Sequence, residues 1–203
     1  MTSSAVAPTD RSEFRNVLAG GTVVGIVTGV SVVAFIVLSR IIPHGMLRDL
    51  LESVLVIAAG VAVSLLPGQR AAARTVEGVA GAAAIGLWGT VVFMAIDIVL
   101  LRPFKAYPWT WDAIGGGSTW WYLPVWWMLG TFLAWMGGLL TAARSRRGAV
   151  PMVQLAIPVV VGCVAVTITS KLLGNPAPLP AQAGAAYTLT LAALALFANA
   201  RKA

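Results

Sequence analysis

Six long apolar runs dominate this chain, and they leave it one class of fold. Each run is about as long as the ~20 residues a helix needs to cross the hydrocarbon core of a bilayer. Charged residues make up only 10% of the sequence and the mean hydropathy is +0.87. A soluble domain carries roughly 25% charge, so this chain lacks the polar surface to clothe a water-soluble globule. The runs predict an all-α integral membrane protein, a single bundle of about six transmembrane helices.

The expected spans are about Val17–Ile42, Leu47–Leu66, Thr75–Leu101, Thr119–Ala143, Val150–Leu173 and Ala181–Ala200. They form one domain over 17–200, between a short tail at 1–16 and a C-terminus at 201–203. The first run is too long for a signal-peptide core, which predicts a retained helix. Pro43-His44-Gly45 breaks the chain after it. The second run is led by Arg48, Asp49 and Glu52 and is expected to stop at Pro67-Gly68. It is short and bounded by charge, so it is either a true span or a helix lying on the surface. Pro158 falls inside the fifth run, where it removes a backbone donor. The link Gly174-Asn-Pro-Ala-Pro-Leu-Pro180 ends it.

Positive charge sets the expected orientation. With six spans, nine of the fourteen Lys and Arg residues fall on the side of the termini and five on the other. The richer side, which includes Arg144-Ser-Arg-Arg147, is predicted to be cytoplasmic. Both termini are then inside, as in a multi-pass protein of a bacterial inner membrane. The net charge of +7 follows from this topology signal, and no nucleic-acid partner is expected. The lipid bilayer is the expected surrounding, with anionic headgroups as the most that charge alone supports.

Between the third and fourth runs lies the most unusual stretch. Tyr107–Gly138 holds seven of the eight tryptophans and a Gly-Gly-Gly turn at 115–117. Tryptophan collects where a membrane meets water because its ring is apolar and its N–H is a donor. Trp109, Trp111, Trp120, Trp121, Trp126 and Trp127 are therefore expected at the outer interface, as a belt or a partner surface. The glycines resemble neither a phosphate loop nor a potassium filter, since neither set of neighbouring residues is present.

Small residues mark where helices meet. Gly21, Gly25 and Gly29 form a ladder on the first run, and Gly130 and Gly137 share a side of the fourth. Residues at that spacing let a neighbouring backbone approach closely.

Few residues carry chemistry. Asp97 lies about one turn from the outer end of the third run, on the flank of Gly86, Thr90 and Phe93. A carboxylate at membrane depth is a candidate proton or cation site, and an interfacial ion pair is the plainer account. Gln154, Thr169 and Lys171 of the fifth run are its candidate companions, although a lysine at a span end ordinarily snorkels to the headgroups. One histidine, His44, and one cysteine, Cys163, exclude a disulfide and leave no zinc or haem ligand set. No metal, cofactor or catalytic constellation is expected. The leading expectation is a non-enzymatic subunit that acts by helix packing, as a homo-oligomer or within a larger membrane complex. The alternative is a small transporter or channel that uses Asp97. A lipid enzyme is a distant third, because its catalytic inventory is thin.

Overall fold

The computed structural model describes residues 13–101, 103, 122–145 and 148–200. Its helices are α1 (Phe14–Ile41), α2 (Met46–Arg70), α3 (Val76–Ile96), α4 (Tyr122–Arg144), α5 (Met152–Leu172) and α6 (Leu179–Ala200). A π-helical turn, Asp97–Leu101, extends α3. Among the described residues six helices, with α3 and its π turn counted together, are long and apolar enough to cross a membrane. The protein is a six-span helical membrane protein.

Successive helices run in opposite directions. The near end of the bundle holds the start of α1 and the links around 71–75 and 148–151. Here the Asn16 side chain donates to the Arg70 carbonyl and Gln69 donates to that of Val150. The far end holds Ile42–Gly45, the end of α3 and the link 173–178. Valines such as Val30, Val54 and Val161 remain exposed along the helices, as expected where the surrounding solvent is lipid.

α2 and α4 sit at the centre. α1 and α3 pack on one side of them, α6 on the other, and α5 lies outermost against α6 and α2. With no hydrophobic force between helices in lipid, association depends on close fit. A methyl group on Gly25 would come within 2.6 Å of Val92 Cβ and 2.7 Å of the Gly89 carbonyl oxygen on α3. A methyl on Gly137 would strike the Ser64 carbonyl of α2. Trp88 donates across the α1–α3 contact to Thr22 Oγ1 at 3.2 Å.

The second run is a full helix of 25 residues, not a surface segment, and it is central to the bundle. Its charged head is folded away, because Glu52 accepts from Ser39 at 2.6 Å and from Arg48 at 2.7 Å. Nor does it stop at Pro67. The helix continues through Pro67 to Arg70, and the Ala73 N–H then bonds back to the Gly68 carbonyl at 2.9 Å. Gly68 is held there against Thr141. At α6 the helix begins at Leu179, with Pro180 in its first turn, where a missing N–H costs nothing.

Candidate functional site

The central pair, α2 and α4, makes its seam toward the near end. Ser64 meets Gly137, and one turn further Gly68 faces Thr141 and Gly138. Toward the far end the facing residues of the two helices line a cavity instead. Val56, Gly60 and Val63 stand on the α2 side, and Trp126, Gly130 and Leu133 on the α4 side. α1, α3 and α6 complete its wall, and its volume is about 730 Å³. On α1 the lining runs from Val24 to Val32, a height of about 12 Å at the rise of an α-helix.

The wall is apolar. Among the described residues it carries no charged side chain, and its hydroxyls are Thr28, Ser31, Thr90, Tyr187 and Thr188. Four of these donate to a carbonyl of their own helix, at 2.8 Å for Thr28 and Ser31, 3.0 Å for Thr90 and 2.9 Å for Thr188. The fifth, Tyr187, is hydrogen-bonded to Ser64 at 2.8 Å. The chamber therefore presents hydrocarbon and already-engaged hydroxyls.

Asp97 lies beyond the far end of the wall and is not itself one of its residues. Gly86, Thr90 and Phe93 line the chamber from α3, and Asp97 is one turn beyond Phe93 on the same face. It opens the π-helical turn and is 1% exposed. A π turn shifts the register of the residues after it, and such turns are frequent at functional sites. Phe93, Met94, Leu101, Val32 and Trp126 form an apolar cluster at this level. The Phe93 and Trp126 rings lie 5.7 Å apart, tilted by 59°.

The other candidates of the sequence fall elsewhere. Gln154, Thr169 and Lys171 are all exposed on α5, and Thr169 donates to the Ala165 carbonyl at 2.9 Å. The structure does not bring them to Asp97, because α5 is the outermost helix and Asp97 faces the bundle. Gly21, Gly25 and Gly29 face α3, Gly130 faces Thr90 and Gly86, and Gly137 faces Ser64. Trp126, expected at the interface, turns inward and lines the chamber, while Trp127 is 40% exposed. Trp109, Trp111, Trp120 and Trp121 lie outside the described residues.

The chamber itself, the Ser64–Tyr187 pair and the buried Glu52 are absent from the sequence reading. A serine of the second apolar run and the single tyrosine of the sixth were the available signal for the pair. Among the described residues no group of three His, Cys, Asp or Glu is placed to hold a metal ion. No family model, curated protein or solved structure matches the chain.

Proposed function

We propose that the protein is a small membrane transporter whose working site is the five-helix chamber. Asp97 is its proton- or cation-binding carboxylate. The observation that carries this reading is the burial of Asp97 at 1% exposure, one helical turn beyond Phe93, the last α3 residue of the chamber wall. An ionisable group held at membrane depth and turned into the bundle is a functional-site candidate by default. The seam of α2 and α4 at Ser64 and Gly137 closes the chamber toward the near end, which favours a carrier over an open channel.

The reading of a helix-packing subunit had two motives, the ladder Gly21, Gly25 and Gly29 and the outward tryptophans. The ladder face is covered by α3 of the same chain, and Trp109, Trp111, Trp120 and Trp121 lie outside the described residues. The test is proton movement into proteoliposomes that hold a pH-sensitive dye, driven by a potassium diffusion potential. Wild-type protein is expected to carry protons and Asp97→Asn to lose that flux while keeping its elution profile and thermal stability. Equal flux in the two would remove Asp97 from the mechanism.

A further inference from the structure

We infer that the chamber holds a hydrocarbon chain of a bilayer lipid, so that the substrate class is a lipid with its tail between the five helices. The inference rests on the reading of the chamber as the working site.

The wall chemistry selects the occupant. A hydrated ion or a sugar entering the chamber would give up water and find few donors in return. Thr28, Ser31, Thr90 and Thr188 spend their hydroxyl hydrogens on their own helices. Transfer of a polar group to such a site without compensation costs several kcal/mol, roughly 2–7. A hydrocarbon chain has no such cost, and cavities lined this way stay dry and take apolar guests. The volume of about 730 Å³ is within the range of sites that enclose most of a ligand, roughly 300–1,000 Å³.

The shape agrees. The chamber is blind toward the near end, where Gly137 closes on Ser64. It is bordered by exposed apolar residues of α4 and α6, Leu129, Ala185 and Leu189. A chain in the surrounding bilayer thus meets apolar surface continuously from the lipid-facing side of the bundle to the chamber wall. Asp97, one turn beyond the wall at that end, stands at the level where the polar part of such a lipid would lie.

The test uses full-length protein in phosphatidylcholine vesicles doped with a phosphatidylcholine that carries a mid-chain diazirine. After illumination, adducts are mapped by residue. Val24, Thr90 and Tyr187 are buried from the surrounding lipid and line the chamber, whereas Val161 faces outward. Adducts are expected at the three chamber residues as well as at Val161. Ala185→Trp, which fills the chamber from an exposed position, should remove the first group and leave Val161 labelled. Adducts confined to outward residues would overturn the inference. So would rapid reaction of a charged thiosulfonate with Thr90→Cys in a Cys163→Ala background, because that requires a water-filled chamber.

The two proposals fail separately. Chamber adducts together with proton flux that survives Asp97→Asn would keep the lipid and remove the carboxylate. An unlabelled chamber with flux that depends on Asp97 would do the reverse.

Discussion

The hydroxyl of Tyr187 lies 2.8 Å from that of Ser64, and this single bond ties α6 to α2 beside the seam that closes the chamber. Both residues are buried, with Tyr187 at 2% and Ser64 at 0% exposure. Interhelical hydrogen bonds in membrane proteins contribute about 0.6 kcal/mol on average and up to roughly 2. Tyr187→Phe is therefore expected to lower stability by about 1 kcal/mol in detergent unfolding. The sharper measurement is the double-mutant cycle with Ser64→Ala. The two losses should not add, since either substitution alone breaks the bond. Full additivity would mean that the hydroxyls do not interact.

The glycines of α1 separate by position. A methyl on Gly25 meets Val92 and the Gly89 carbonyl at 2.6 and 2.7 Å, while one on Gly29 reaches Ile96 at 3.4 Å. Gly25→Ala forces α1 away from α3, an overpacking cost of about 1–3 kcal/mol. Gly29→Ala adds an ordinary contact and gains up to about 1 kcal/mol of helix propensity. Thermal melts of the two variants should thus shift in opposite directions. The oligomeric mass should stay the same in both, because this face is used inside one chain. A change of mass with an unchanged melt would restore the ladder as an interface between copies.

The six spans were legible because span length and hydropathy are local properties of the sequence. The glycine faces were legible for the same reason, since 3.6-residue spacing puts Gly21, Gly25 and Gly29 together. What spacing does not contain is the partner. The ladder says that a backbone comes close, and it is equally compatible with a second copy or with α3. Asp97 was legible as a lone carboxylate in an apolar run, but the chamber beside it was not. It exists because α2 and α4 meet at Ser64 and Gly137 and line a space between Gly60 and Gly130, a relation between residues far apart in sequence. The charged start of α2 left a surface helix open beside a true span. The span holds, and the carboxylate of Glu52 is satisfied by Ser39 and Arg48 and is 5% exposed. Trp126 was open in the same way, since an aromatic near a span end serves an interface or a bundle interior equally well.

Glu52 gives a graded prediction at the α1–α2 corner. It accepts a hydrogen bond from Ser39 on α1 and one from Arg48 on its own helix, at 2.6 and 2.7 Å. Arg48 in turn lies 3.2 Å from His44 Nδ1. Hydrogen bonds to a charged group are worth roughly 1.5–3 kcal/mol. Glu52→Ala loses both bonds and the charge that Arg48 faces. Glu52→Gln keeps an acceptor for Ser39 and loses only the charge. Unfolding should rank wild type above Glu52→Gln above Glu52→Ala, and Ser39→Ala should cost less in the Glu52→Ala background than in the wild type. A Glu52→Ala protein as stable as wild type would show that this corner adds nothing to the bundle.

Orientation in the membrane gives the last prediction. His44 and Ala149 are both exposed in links at opposite ends of the bundle. The near end, with Ala149, belongs to the side that carries nine of the fourteen basic residues, and the positive-inside bias assigns that side to the cytoplasm. The assignment depends on α2 being a true span, because each crossing reverses the side of all that follows. With α2 at the centre of the bundle the count stays at six. In a Cys163→Ala background, His44→Cys should react with a membrane-impermeant maleimide on intact cells. Ala149→Cys should react only after the cells are opened. The reverse pattern would invert the protein and place the far end of the chamber, with Asp97, toward the cytoplasm. Reaction of both positions on intact cells would mean that an even number of crossings, not the three drawn here, separates His44 from Ala149, and the six-span count itself would fall.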